Sequence, residues 1–83
     1  MKPSGDVVAR RVEDEVVLVN LKTNQIYALN RTGARAWELF EAGNDQKQIA
    51  AGLRKEFDLR EEDLDGELER LFASLREEGL VNG

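Results

Sequence analysis

The stretch QIYALNRTGARAW, from Gln25 to Trp37, decides the fold. Its first five residues alternate as on a strand: Tyr27 and Leu29 share one face, Ile26 and Ala28 the other. Asn30 then stands where the strand turns into a helix. Its side-chain oxygen can accept from the free N–H groups of a first helical turn, which makes it a good N-cap. The helix is expected from about Arg31 to Glu41, with Ala34, Ala36, Trp37, Leu39 and Phe40 on its apolar side. Gly43 ends it, in a position where glycine takes left-handed geometry without strain.

Working towards the N-terminus, Glu15 to Leu21 (EVVLVNL) is a second β-rich run and Val7 to Val12 a third. Glu13 and Asp14 form a short polar interruption suited to a hairpin turn. The EVVLVNL run is apolar on both alternating sets: Val17, Val19 and Leu21 on one, Val16 and Leu18 on the other. A strand partly covered on both faces reads this way, so it is expected at the centre of the sheet. Lys22-Thr23-Asn24 makes the next loop. Asn tolerates positive φ better than any residue except Gly, so Asn24 is the expected left-handed position. Met1 to Gly5 is expected to be a loose tail.

Towards the C-terminus, Asp45 and Gln48 have capping-box spacing. A second helix follows to about Phe57, with Ile49, Ala50, Leu53 and Phe57 as its stripe. Asp58-Leu59-Arg60 is a connector. The third helix is expected from about Glu61 to Glu78. Leu64, Leu68, Leu71, Phe72 and Leu75 follow the spacing of one buried helix face. Gly79 stops it, and Leu80 can fold back onto its last turns. The order is three strands and then three helices. This is an α+β fold, with a three-stranded antiparallel sheet, in a single domain spanning residues 1–83.

Composition narrows the function. The chain has no cysteine and no histidine, so disulfides, thiolate or imidazole metal sites, Cys nucleophiles and His bases are excluded. No P-loop, GxGxxG or EF-hand loop occurs. Glu61/Glu62 and Glu77/Glu78 are the acidic pairs nearest to acid–base machinery. Neighbours on a helix diverge by about 100° and seldom converge on one substrate. The chain reads as a recognition module, not an enzyme, and no cofactor is expected. No apolar run reaches the ~18 residues that span a bilayer, and MKPSGD lacks a signal-peptide core. The expected location is the cytoplasm, without a membrane partner.

Twelve basic and seventeen acidic residues give a net charge of −5, which disfavours a sequence-independent grip on nucleic acid. Nine of the acids lie between Asp58 and Glu78, against three basic residues. A solvated helix face explains this, and so does a surface that selects a partner with some positive charge.

Trp37 and Tyr27 read as core residues, with the Tyr27 hydroxyl reaching water. Gly66 reads as a tolerated glycine on the exposed side of the third helix. In a simple meander the strand from Gln25 to Leu29 is an edge strand. It has neither Lys nor Pro, the usual devices that blunt an edge. Either a helix or the tail covers it, or it is open to accept a peptide strand through main-chain hydrogen bonds. The third helix would then form the opposite wall of a groove.

The same residues resemble the PqqD-like domains, also called RiPP recognition elements. The likeness is carried by Val19, Leu21, Asn24, Tyr27, Leu29, Asn30, Thr32, Gly33 and Trp37. It continues at Ile49-Ala50, Leu53 and Phe57, and at Leu75, Gly79, Leu80 and Val81. It covers about Val16 to Val81. Asn24 stands where the family usually has Gly, and Asn can still adopt the turn. The resemblance implies a winged helix-turn-helix fold and an activity of binding the leader segment of a ribosomally made precursor peptide. The leader would add as a fourth strand along Gln25, Ile26, Tyr27, Ala28 and Leu29. Leu64, Glu67, Leu68, Leu71, Phe72 and Leu75 of the third helix would line the groove, on a flank that periodicity leaves open. The free-standing form, Ala42-Gly43 and the short length look most like the lasso-peptide branch. Its partners are a leader-cleaving cysteine protease and a ring-closing synthetase. The pyrroloquinoline quinone branch is the second choice. A winged-helix DNA-binding protein is a further alternative, with Gln46, Lys47, Gln48, Arg54 and Lys55 as its modest basic set. A protein–protein adaptor using the same groove is another.

Overall fold

In a computed structural model the described residues are 2–57 and 63–82. Three strands, β2 (Val7–Val12), β3 (Glu15–Asn20) and β4 (Gln25–Leu29), follow a short β1 (Lys2–Pro3). Three helices come next: α1 (Arg31–Glu41), α2 (Gln46–Phe57) and α3 (Leu64–Glu77). The short β5 (Val81–Asn82) closes the order. The expected α+β architecture is present, with β2, β3 and β4 in one antiparallel sheet and β3 at its centre.

Both hairpins turn through left-handed residues, Glu13 at φ 59 and Asn24 at φ 62. Asn24 takes the conformation expected of it. The sheet buries one face. Val16 and Leu18 of β3 and Leu29 of β4 point into the core, while Val8, Val12 and Ile26 are exposed. Central β3 is half-buried on its other face at Val17 and Val19, as the doubled apolar pattern suggests. The strand stops at Asn20, and Leu21 lies in the loop, 60% exposed.

Asn20 is the buried polar residue of the core. Its Oδ1 accepts from the N–H groups of Lys22 (2.9 Å) and Thr23 (3.3 Å), and its Nδ2 donates to the carbonyl of Glu78 at 3.1 Å. It therefore ties the β3–β4 loop to the end of α3. A buried amide is tolerated because its capacity is used in this way.

The helices are capped as their sequences require. Asn30 accepts from the Gly33 N–H at 2.9 Å and starts α1 directly after β4. Asp45 and Gln48 exchange reciprocal bonds of 2.8 Å each at the start of α2. Asp63 caps α3 by accepting from Gly66. The expected start of that helix at Glu61, with Glu62 and the Asp58–Arg60 connector, lies outside the described residues. Gly66 is half-buried, and a Cβ there would stand 2.3 Å from Asp63 Oδ2. Its side of the helix is filled by the cap.

Trp37, Phe40 and Phe72 stack in series at 5.4 and 5.2 Å between ring centroids and join α1 to α3. Ile49, Leu53, Leu64, Leu68 and Leu75 complete the core around them. Trp37 is a core residue as expected, although its indole Nε1 is buried without an acceptor among the described residues.

The loose tail is a correction. Lys2 and Pro3 pair with Asn82 and Val81, and the Ser4 N–H donates to the Leu80 carbonyl at 3.0 Å. Gly79, at φ 72, reverses the chain after α3, and Leu80 and Val81 are buried. The first residues are held because that reversal presents a free strand edge to them. A two-residue strand made between chain ends leaves no periodic trace in sequence.

Candidate functional site

The site follows from the register of the sheet. Val12 and Glu15 flank a two-residue turn, so they form a hydrogen-bonded pair, and such pairs alternate along an antiparallel ladder. Glu15, Val17 and Val19 therefore bond towards β2, and Val16, Leu18 and Asn20 towards β4. On β4 their partners are Leu29, Tyr27 and Gln25. Ile26 and Ala28 are left with main-chain N–H and C=O groups directed away from the sheet. Strand β4 is an edge in the strand order, so these four groups form an open ladder.

A cleft of about 370 Å³ runs beside that edge. Tyr27, Ala28, Leu29 and Asn30 line it from β4 and its end, Thr32, Gly33 and Ala36 from α1, and Leu64, Glu67, Leu68 and Leu71 from α3. Leu29, Ala36, Leu64 and Leu68 are buried and form its floor. Ala28, Asn30 and Glu67 are exposed at its rim. Gly33 and Ala36, one turn apart on α1, keep the floor low. A Cβ on Gly33 would already stand 3.3 Å from Asn30 Oδ1.

Of the eleven residues expected in the groove, seven line this cleft: Tyr27, Ala28, Leu29, Leu64, Glu67, Leu68 and Leu71. Gln25 and Ile26 are on β4 outside it, Ile26 with its side chain on the open face of the sheet, 70% exposed. Phe72 and Leu75 are in the core, 2% and 1% exposed, Phe72 against the Phe40 ring of α1. The flank of α3 that faces β4 is thus the one carrying Glu67 and Leu71. Asn30, Thr32, Gly33 and Ala36 are additional lining residues. Their signal in the sequence is indirect: a helix that starts at the very end of an edge strand must put its first turns beside that edge.

Among the described residues Glu67 is the charged one lining the cleft, and its carboxylate has no ion pair or hydrogen bond with any of them. Arg31, next to the lining Thr32, is turned onto the Phe57 ring at 5.1 Å instead. Other charges are engaged away from the cleft. Arg35 binds Glu56 through Nε and Nη2 at 3.0–3.1 Å and Glu38 at 3.4 Å, and Arg11 also pairs with Glu38. The Arg35 hydrogen bonds hold the Glu56 carboxyl below its ordinary range. On α2, Gln48 is taken up by the capping box and Arg54 pairs with Asp65 at 3.4 Å. The basic set that a DNA-reading helix would need is therefore reduced.

A sheet edge with free main-chain groups, set against an apolar cleft and a helix, is a surface for an extended chain. A family model described as Coenzyme PQQ synthesis protein D (PqqD) matches residues 15–81, and the chain belongs to that family. The resemblance carried by Val19, Tyr27, Asn30, Gly33 and Trp37 is borne out. Among solved structures, that of TbiB1 in complex with the TbiA(beta) leader peptide is similar. The TM-score is 0.90 and the identity 30%, over 100% of this chain and 96% of the other. No curated protein matches the chain. No helix among the described residues is long and apolar enough to cross a membrane.

Proposed function

We propose that this chain binds the leader segment of a ribosomally synthesised precursor peptide and presents it to a maturation enzyme. The leader adds as a fourth strand along Gln25–Leu29. One set of its side chains enters the cleft between β4 and α3. The observation that carries this is the outward pair of N–H and C=O groups on Ile26 and Ala28 beside the apolar floor. The likeness to TbiB1, solved with a leader peptide, supports it. The role is non-catalytic and cytoplasmic, and the chain acts by raising the local concentration of precursor at an enzyme.

The reading favoured for the partner is a leader-cleaving cysteine protease, with a ring-closing synthetase acting afterwards, as in lasso-peptide maturation. The family description keeps a pyrroloquinoline quinone-type peptide chaperone as the second reading.

The test is a two-dimensional NMR titration with a synthetic leader peptide of a lasso-type precursor. Amide signals of Ile26, Ala28 and Asn30 and of the Glu67–Leu71 flank are expected to shift. A folded protein whose signals stay still at high peptide concentration sinks the proposal. Co-purification of the loaded chain with the protease, and not with a pyrroloquinoline quinone maturation enzyme, separates the two branches.

A further inference from the structure

We infer that Glu67 makes the cleft selective for a peptide with a Lys or Arg side chain two positions from a bulky apolar one. This rests on the leader-binding reading and names the chemistry of the peptide that the same cleft takes.

Three observations carry it. The floor of the cleft is aliphatic, made by Leu29, Ala36, Leu64 and Leu68. Among the described residues Glu67 stands at its rim without a partner, and no basic one lines the cleft. Two neighbouring cations among the described residues are placed elsewhere. Arg31 lies over Phe57, and Arg70, nearly one turn along α3, borders a separate hollow with Ala73, Ser74, Arg76 and Glu77.

A strand laid along β4 turns every second side chain towards the cleft, at intervals of about 6.6 Å. Glu67 lies one helical turn, about 5 Å, from Leu64 and Leu71. Successive inward side chains of the peptide therefore meet the apolar floor and the carboxylate in turn. Covering Glu67 with a neutral peptide strips water from an unpaired charge, which is costly. A Lys or Arg at that step restores a charge-assisted hydrogen bond. An acidic residue there is repelled, so the carboxylate rejects wrong sequences as well as favouring right ones. Thr32, whose hydroxyl is without a hydrogen-bond partner among the described residues, offers a neutral polar contact on the opposite rim.

The test uses a displayed library of random dodecapeptides, selected in parallel on the full chain, on Glu67→Lys and on Glu69→Lys. Glu69 is exposed on α3, outside the cleft lining, and controls for net charge. The full chain and Glu69→Lys are expected to enrich an apolar residue with Lys or Arg two positions away. Glu67→Lys is expected to exchange that base for Asp or Glu. Peptides remade singly with Lys, Gln or Glu at that step should favour Lys over Gln by about fivefold on the full chain, less at high salt. If all three proteins select the same peptides, the inference fails and leader binding stands. If none selects any peptide, the leader-binding reading fails and takes the inference with it.

Discussion

Ala28 stands opposite Val17 in a pair that exchanges no main-chain hydrogen bonds, so the N–H and C=O of Ala28 face out of the sheet. Its neighbour Tyr27 is paired with Leu18 and bonds inward. Adjacent residues of one strand thus have opposite duties, one to the fold and one to the open edge.

Replacing Ala28 with Pro removes a donor that the free protein does not use. The folded state should survive, because proline is tolerated on an edge strand when its nitrogen faces outward. Leader affinity, read by fluorescence polarisation, should fall by at least about tenfold as the outer ladder is interrupted. Tyr27→Pro removes a ladder bond and leaves the facing carbonyl unpaired, which should cost about 1–3 kcal/mol. Wild-type affinity in a folded Ala28→Pro protein would show that the peptide does not use this edge.

Asn20→Ala deletes the amide that bridges the β3–β4 loop and the Glu78 carbonyl. Three buried or half-buried groups lose their partner together. Urea denaturation is expected to show a loss of about 2–4 kcal/mol. A loss under about 0.5 kcal/mol would mean that water replaces the side chain without cost.

Gly66→Ala sets two effects of similar size against each other. Alanine favours the helix by roughly 1 kcal/mol over glycine. Its Cβ would displace the Asp63 carboxylate, whose cap is worth about 1 kcal/mol. The single change should lie within about 0.5 kcal/mol of wild type. Made in an Asp63→Ala background, where no cap remains to be displaced, it should stabilise by close to the full propensity difference. Equal effects in both backgrounds would exclude the clash as the reason for glycine.

Glu56 supplies a pH dependence. Its hydrogen bonds from Arg35 lower the folded-state pKa below the ordinary 4.5. The unfolded chain then binds the proton more readily, so the contribution is present above the unfolded value. It is lost as pH falls through the folded one. Urea midpoints at pH 7 and pH 3 should differ more for the wild type than for Glu56→Gln. The excess should shrink in 1 M salt, because the pair is at the surface. An identical drop in both proteins would remove this pair from the acid response.

The elements that rest on local chemistry are legible in the sequence. The limits of β2, β4 and α1 coincide with runs bounded by Glu13-Asp14, Asn24, Asn30 and Gly43, because turn and cap residues act within a few positions of themselves. The Asp45–Gln48 box is of the same kind. What depends on packing angle is not legible in this way. Periodicity places Leu64, Leu68, Leu71, Phe72 and Leu75 on one stripe. Only the tilt of α3 decides that Leu71 reaches the cleft and Phe72 the core. Thr32, Gly33 and Ala36 become lining residues for a similar reason, since nothing local to them records how close α3 comes. Leu21 reads as strand by alternation. The strand ends one residue earlier because Asn20 turns its side chain onto the amides of Lys22 and Thr23, although the Leu21 N–H still donates to the Asp6 carbonyl at 2.8 Å.

The pairing of Lys2 with Asn82 has a consequence for how this domain can be combined with others. The two ends of the described chain lie across one strand spacing, about 5 Å. They share the side of the molecule where Ser4, Asp6 and Asn82 meet Gln25, whereas the cleft runs beside the other half of β4, from Tyr27 to Asn30. The domain can therefore be spliced into a surface loop of an unrelated host, or its ends joined and the chain reopened at Glu13-Asp14, with the cleft left facing outward. Lys2 and Asn82 thus stand side by side, away from the stretch of β4 that borders the cleft.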